Sequence, residues 1–144
     1  MIGGLWTRLK LLLAPTVSPR HIKLGKRGEL AARRYLKSKG LKFLTANYRT
    51  PRGEIDLIFR DGNCLVFIEV RTRSSEKYGR PSESIDADKK RRFGLAALHY
   101  LRRAGCPNVP VRFDVVEVIL DKNGEPTIRH LPNAFGLSPP FRYG

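Results

Sequence analysis

The sequence predicts an α/β (α+β) domain, a mixed sheet of about five strands with helices packed on it, in the order α-β-β-β-α-β-β. Three observations carry the prediction. Two segments, 24–39 and 86–103, repeat apolar residues at helical spacing. Five segments, 42–49, 54–60, 64–71, 111–120 and 126–131, read as strands bounded by turn residues. The length, 144 residues, suits one domain with its own core.

Each element has a local reason. In the first helix Leu24, Gly28, Ala31 and Tyr35 form a stripe, Ala32 and Leu36 widen it, and Gly40 ends it. Thr50-Pro51-Arg52-Gly53 is a turn, and Asp61-Gly62 is a strong hairpin signal between 54–60 and 64–71. Residues 72–85 are polar, carry Gly79-Arg80-Pro81, and read as a loop. Asp86 suits the N-cap of the second helix, whose stripe is Phe93, Ala97, Tyr100 and Leu101, with Gly105 as its stop. VRFDVVEVIL, 111–120, is apolar enough for a central strand. The chain divides into an N-terminal amphipathic or flexible segment, 1–21, a domain, 22–131, and a Pro-rich irregular tail, 132–144.

Composition limits the function. Lys and Arg number 28 against 13 Asp and Glu, a formal charge of +15. That excess points to a polyanionic partner, nucleic acid before a membrane surface. No apolar run reaches the ~18 residues of a membrane span, so no stable membrane insertion is expected. Cys64 and Cys106 are isolated, which excludes a cysteine-rich zinc site and a disulfide framework and suits a reducing, cytoplasmic setting. His21, His99 and His130 are equally dispersed. Leu5, Leu9, Leu12 and Leu13 beside Trp6 form an N-terminal stripe interrupted by Arg8 and Lys10, a poor secretory signal.

Against this basic background the acidic residues inside strands stand out. Glu54 and Asp56 lie in one apolar segment and Glu69 at the end of another. Ionised carboxylates there are unfavourable unless paired. With Asp61-Gly62 as a two-residue loop, Arg60 falls opposite Asn63, Asp56 opposite Phe67 and Glu54 opposite Glu69. Asp56 and Glu69 then become diagonal neighbours on one face, at roughly 7–8 Å between backbones. A three-residue loop would place them on opposite faces. Carboxylates converging there suit a hard ion such as Mg²⁺ or Mn²⁺, which polarises a phosphodiester and activates water. The plainer alternative is pairing with nearby arginines. Glu29 is a fourth acidic candidate, at the edge of the first helix's packing face, with Arg33 one turn on as its simple partner. Arg71 shares parity with Glu69.

The segment KRGELAARRYLKSKGLKFLTANYRTPRGEIDLIFRDGNCLVFIEVRTR, with YGRPSESI, the helix around Lys89 and RFDVVEV, resembles the YraN-like family of small bacterial proteins over residues 22–131. That family in turn resembles the PD-(D/E)XK nuclease superfamily, near archaeal Holliday-junction resolvases. The resemblance implies a restriction-endonuclease-like fold and metal-dependent endonuclease activity on DNA, branched or structured, with Mg²⁺ or Mn²⁺ as cofactor. It implies Asp56 and Glu69 as metal ligands, Glu29 as the helical glutamate that assists them, and position 71 as the place of a lysine. Here that residue is Arg71, which stays charged and cannot serve as a base, although it can bind a phosphate. Two expectations follow: a metal-dependent nuclease with Glu29, Asp56, Glu69 and Arg71 as its catalytic set, or a catalytically weakened nucleic-acid-binding module on the same fold. A homodimer follows by analogy with resolvases.

The basic residues suggest how a polyanion is held. Lys89 and Lys90 lie in the first turns of the second helix, where a phosphate satisfies exposed amides and side-chain charges together. Lys89 also matches a basic position of the family pattern. Arg73, Lys77 and Arg80, with Tyr78 interleaved, suit backbone tracking, and Arg49 and Arg52 form a facing wall. None of these reads base edges, so recognition by shape is expected.

Overall fold

The computed structural model describes residues 23–74 and 86–136. The elements are α1 (Lys23–Ser38), β1 (Lys42–Thr50), β2 (Gly53–Asp61), β3 (Cys64–Ser74), α2 (Ala87–Arg103), β4 (Val111–Leu120) and β5 (Pro126–Phe135). The predicted α/β class and element order hold. The sheet runs β1-β2-β3-β4-β5 in sequence order. Among the described strands only β3 and β4 are parallel, with α2 in the crossover between them.

The helices lie on opposite faces of the sheet, and strand parity sorts the core between them. Leu65, Phe67 and Phe113 face α2 and pack on Phe93, Ala97, Tyr100 and Leu101. Val66, Ile68, Val116 and Val118 face α1 and pack on Ala32 and Leu36. Both helical stripes thus land on the sheet, and β3, with a continuous buried run from Leu65 to Glu69, is covered on both sides. Two glycines set how closely the helices approach. A Cβ on Gly28 would fall 1.9 Å from the Thr72 hydroxyl of β3, and one on Gly53 would fall 2.3 Å from the Arg92 carbonyl of α2.

Three boundaries differ from the sequence reading. The β2–β3 loop is Gly62-Asn63, with Asp61 paired to Cys64, because Gly62 adopts φ 60° at the first central position of the turn. The register therefore moves by two from the expected one, which keeps parity. Strand β3 continues to Ser74, where β4 still pairs with it through Leu120. Strand β5 runs to Phe135 instead of ending at 131; a bulge beside Asp114, with Asn133 at φ 53°, carries it past Pro132. Phe135 then stacks on Phe113, ring centroids 5.3 Å apart, and meets Phe93 edge-on at 5.4 Å. The N-terminal segment 1–21 and the loop residues Lys77, Tyr78 and Arg80 lie outside the described residues, as does the chain from 137 onward.

Candidate functional site

The site forms where β2 parts from β3. Their pairing ends at Leu57 with Ile68, so Asp56 and Glu69 are the next residues, directly opposite each other. This replaces the diagonal relation expected from the sequence, and with it the pairings of Asp56 with Phe67 and of Glu54 with Glu69. The cause is the register set by the Gly62-Asn63 loop, which brings Asp56 level with Glu69; alternation along β1 and β2 is also interrupted here. Ala46 and Leu57 face α1, whereas Tyr48 and Ile55 face α2. Asn47 and Asp56, between them, are skipped by the β1–β2 ladder, and Asn47 takes φ 53°. Asn tolerates that left-handed conformation better than most residues. The kink takes β2 away from β3, and Asp56 spans the gap: its Oδ2 accepts the Val70 N–H at 2.7 Å.

Glu69 is buried, and its Oε2 lies 2.6 Å from the Nζ of Lys89, at the start of α2. The N-cap Asp86 holds that first turn by accepting the Lys89 N–H at 2.8 Å. Asp56 is half-buried, and its carboxyl is pushed well above the usual carboxylate range. Burial is the largest cause and the adjacent charge of Glu69 the next; the Val70 N–H pulls the other way, and Glu54 adds a smaller upward push. Two facing acids of which one resists ionisation are a place that a cation would relieve.

A cleft of about 1120 Å³ opens onto this pair. Its acidic floor is Asp56 and Glu69, and Arg49, Arg52, Lys89, Arg91 and Arg92 stand around it. The rim cations are only partly neutralised. Arg91 and Arg92 share the single carboxylate of Asp88, at 3.0 and 2.9 Å, and Arg49 meets the exposed Glu54 at 3.5 Å. Asp86 lies on the same lining, so that the five cations meet five acids and the cleft as a whole is charge-balanced, with arginines on two of its sides.

Several residues singled out from the sequence lie elsewhere. Glu29 does not line the cleft; its Oε1 accepts a hydrogen bond from the Asn47 Nδ2 at 3.1 Å. It reaches the same kink through Asn47, whose place in β1 is opposite Asp56. Among the described residues no three acidic, histidine or cysteine side chains converge to hold an ion, so the arrangement of Glu29, Asp56 and Glu69 as one cluster is not the one observed. Arg71 also stands outside the lining; it is in register with Glu117 of β4, which in turn pairs with Arg129 of β5. Arg73 is half-buried further along β3. Lys90 points to the other side of α2, its Nζ 5.9 Å from the ring of Phe135. Arg91 and Arg92 follow Lys89 and Lys90 in one basic run of α2, and the helix's position on the turn at Gly53 brings them to the cleft.

A second buried polar cluster lies near the start of β4. Asp114, fully buried, accepts from Arg112 at 3.1 Å, from the Asn133 N–H at 2.9 Å, and lies 2.7 Å from His130 Nε2. Arg112 also binds Asp61 of the hairpin at 2.9 Å. All of these contacts tie β2, β4 and β5 together, a structural use of His130.

The donor set at the cleft suits a hard divalent ion, which typically takes one or two carboxylates and fills its remaining positions with water or phosphate oxygens. Asp56 and Glu69 would hold it. Fold and site together define a strongly basic α/β protein with a carboxylate pair in a cleft rimmed by arginines. The profile of the uncharacterised protein family UPF0102 matches residues 28–118. The chain belongs to this family, the one described above as YraN-like. It is 45% identical over 113 residues to the UPF0102 protein of Pelotomaculum thermopropionicum, covering 78% of this chain and 94% of the relative. The corresponding protein of Alkaliphilus metalliredigens is 44% identical over 112 residues, 78% and 96% of the two chains. That of Thermodesulfovibrio yellowstonii is 46% identical over 114 residues, 79% and 96%. No described helix is long and apolar enough to cross a membrane.

Proposed function

We propose that this protein binds nucleic acid, DNA in particular, and cleaves its phosphodiester backbone at a divalent-metal site, on a restriction-endonuclease-like fold. The observation that carries the reading is the facing pair Asp56 and Glu69 in a cleft rimmed by arginines. Unlike the buried Asp114, which is met by Arg112 and His130, Asp56 faces a second acid, an arrangement that a gathered cation relieves. Mg²⁺ or Mn²⁺, when bound, supplies Lewis-acid polarisation of a phosphoryl oxygen and an activated water. The protein's own part is to place the anion. Arg49 and Arg52 on the β1–β2 turn and Arg91 and Arg92 on α2 offer two cationic walls for successive phosphates. Val70 N–H holds Asp56 in position, and Asn47, opposite Asp56 on β1, holds Glu29. Contacts of this kind track a backbone and leave base sequence unread; the resemblance to the resolvases is what makes structured or branched DNA the favoured substrate.

The test is incubation of the chain with linear and branched DNA in Mg²⁺ or Mn²⁺. Nicking that requires the ion and vanishes in Asp56→Asn supports the reading. Tight binding without cutting in either metal rejects catalysis. One observation favours that second outcome, a non-catalytic binding module: Arg71 stands where a lysine is expected and does not line the cleft. Such a module would keep salt-dependent DNA binding in Asp56→Ala and Glu69→Ala.

A further inference from the structure

We infer that Lys89 is a tethered counter-ion seated where the divalent cation belongs, so that displacement of its ammonium couples metal binding to binding of a phosphate backbone. The inference rests on the metal-site reading above and deepens it. Lys89 Nζ lies 2.6 Å from Glu69 Oε2, and the Glu69 side chain is 9% exposed, against 51% for Lys89. The carboxylate is thus fixed in the sheet while the ammonium reaches it on a long, half-exposed stem. Lys90, the next residue, turns toward Phe135, and Arg91 and Arg92 bind Asp88, so within this basic run it is Lys89 that reaches Glu69.

An ammonium 2.6 Å from Glu69 Oε2 and a divalent ion on the same carboxylate repel each other and compete for its lone pairs. Metal binding therefore favours movement of Lys89, and anything that draws Lys89 away improves the metal's access to Glu69. The first turn of α2 opens on the cleft, so a phosphate held by the rim is the natural acceptor for the displaced ammonium. By linkage the two ligands then strengthen each other's binding by the same factor. The same geometry supplies a mobile lysine to the site from α2, in a chain whose β3 carries arginine at position 71.

Calorimetric titration of Mn²⁺ into the full chain tests this at fixed neutral pH. Lys89→Met should bind Mn²⁺ about fivefold or more tightly than the wild type, because the competitor is gone. Lys90→Met removes the same formal charge one residue away and should leave the affinity near that of the wild type. Lys89→Arg keeps a competing cation and should not tighten binding. Repeating the titration with a short phosphorothioate duplex should raise Mn²⁺ affinity more in the wild type than in Lys89→Met. Unchanged or weaker Mn²⁺ binding in Lys89→Met, or an equal duplex effect in both proteins, overturns the inference. If Asp56→Asn still abolishes Mn²⁺ binding in that case, the metal site itself stands. Absence of Mn²⁺ binding in both wild type and Lys89→Met overturns the metal site and the inference together.

Discussion

The Asp56 carboxylate stands in for a backbone acceptor between two strands: its Oδ2 accepts the N–H of Val70 at 2.7 Å, just past the last residue pair of β2 and β3. One side chain thus closes a backbone defect and supplies half of an acidic pair. The two duties separate by mutation. Asp56→Ala leaves the Val70 N–H without its partner and should lower unfolding free energy by about 1–3 kcal/mol. Asp56→Asn retains an acceptor and should lose far less. Denaturant midpoints of the two variants check this, and equal losses would contradict it.

Acidity should separate them again. Because the Asp56 carboxyl is raised in the folded protein, chiefly by burial and then by Glu69, the folded state holds its proton more tightly than the unfolded chain. Its contribution is fully present below the ordinary carboxylate range and is lost as pH rises through the raised value. Asp56→Asn does not titrate. Relative to wild type it should therefore gain in Tm from acid to neutral pH, measured without divalent ions, and a flat difference across that range would refute the assignment.

Asp114 should behave in the opposite way. Burial alone would raise its carboxyl, but hydrogen bonds from His130, Arg112 and Asn133 outweigh that, and the net direction is down. Its stabilisation is present above the ordinary carboxylate range and disappears as pH falls through the depressed value. Asp114→Ala leaves Arg112 without its buried partner and should cost about 3–5 kcal/mol at neutral pH. The deficit should narrow in acid, which chemical denaturation at several pH values would reveal.

The close approaches at two glycines predict different penalties. A Cβ on Gly28 meets the Thr72 side chain, whose Oγ1 and Cγ2 can rotate away although its Cβ at 2.8 Å cannot, whereas one on Gly53 meets the Arg92 backbone, where nothing rotates. Both alanine variants should be destabilised, within the ~1–3 kcal/mol usual for overpacking, with Gly53→Ala the larger. Gly53→Ala should also weaken DNA binding, since it pushes the first turns of α2 away from the cleft. Thermal melts and fluorescence anisotropy measure the two effects.

The arginine rim should read out as salt dependence. Replacing Arg49 and Arg52 by methionine should reduce the slope of log affinity against log salt by about 0.9 for each phosphate left without its arginine. Anisotropy titrations at several salt concentrations give the slope, and an unchanged value would remove the β1–β2 turn from the interface.

Element order, both helical stripes and the face on which Asp56 and Glu69 meet are legible in the amino-acid chain alone. These follow from short-range periodicity: Phe93, Ala97, Tyr100 and Leu101 bury because the helix repeat lines them up, and parity across a two-residue loop survives an error of two in register. What depends on backbone irregularity and on packing between distant elements emerges only in three dimensions. The register of the Gly62-Asn63 turn makes the acidic pair direct, the kink at Asn47 takes Asp56 out of the β1–β2 ladder, the bulge beside Asp114 carries β5 to Phe135, and the seat of α2 against Gly53 brings Lys89 to Glu69 and leaves Arg71 beside Glu117. Glu29 goes to Asn47 for the same reason. A left-handed residue inside a strand, or a helix's distance from a sheet, leaves almost no local trace in composition or spacing, because it is fixed by the sum of contacts on both sides of the chain.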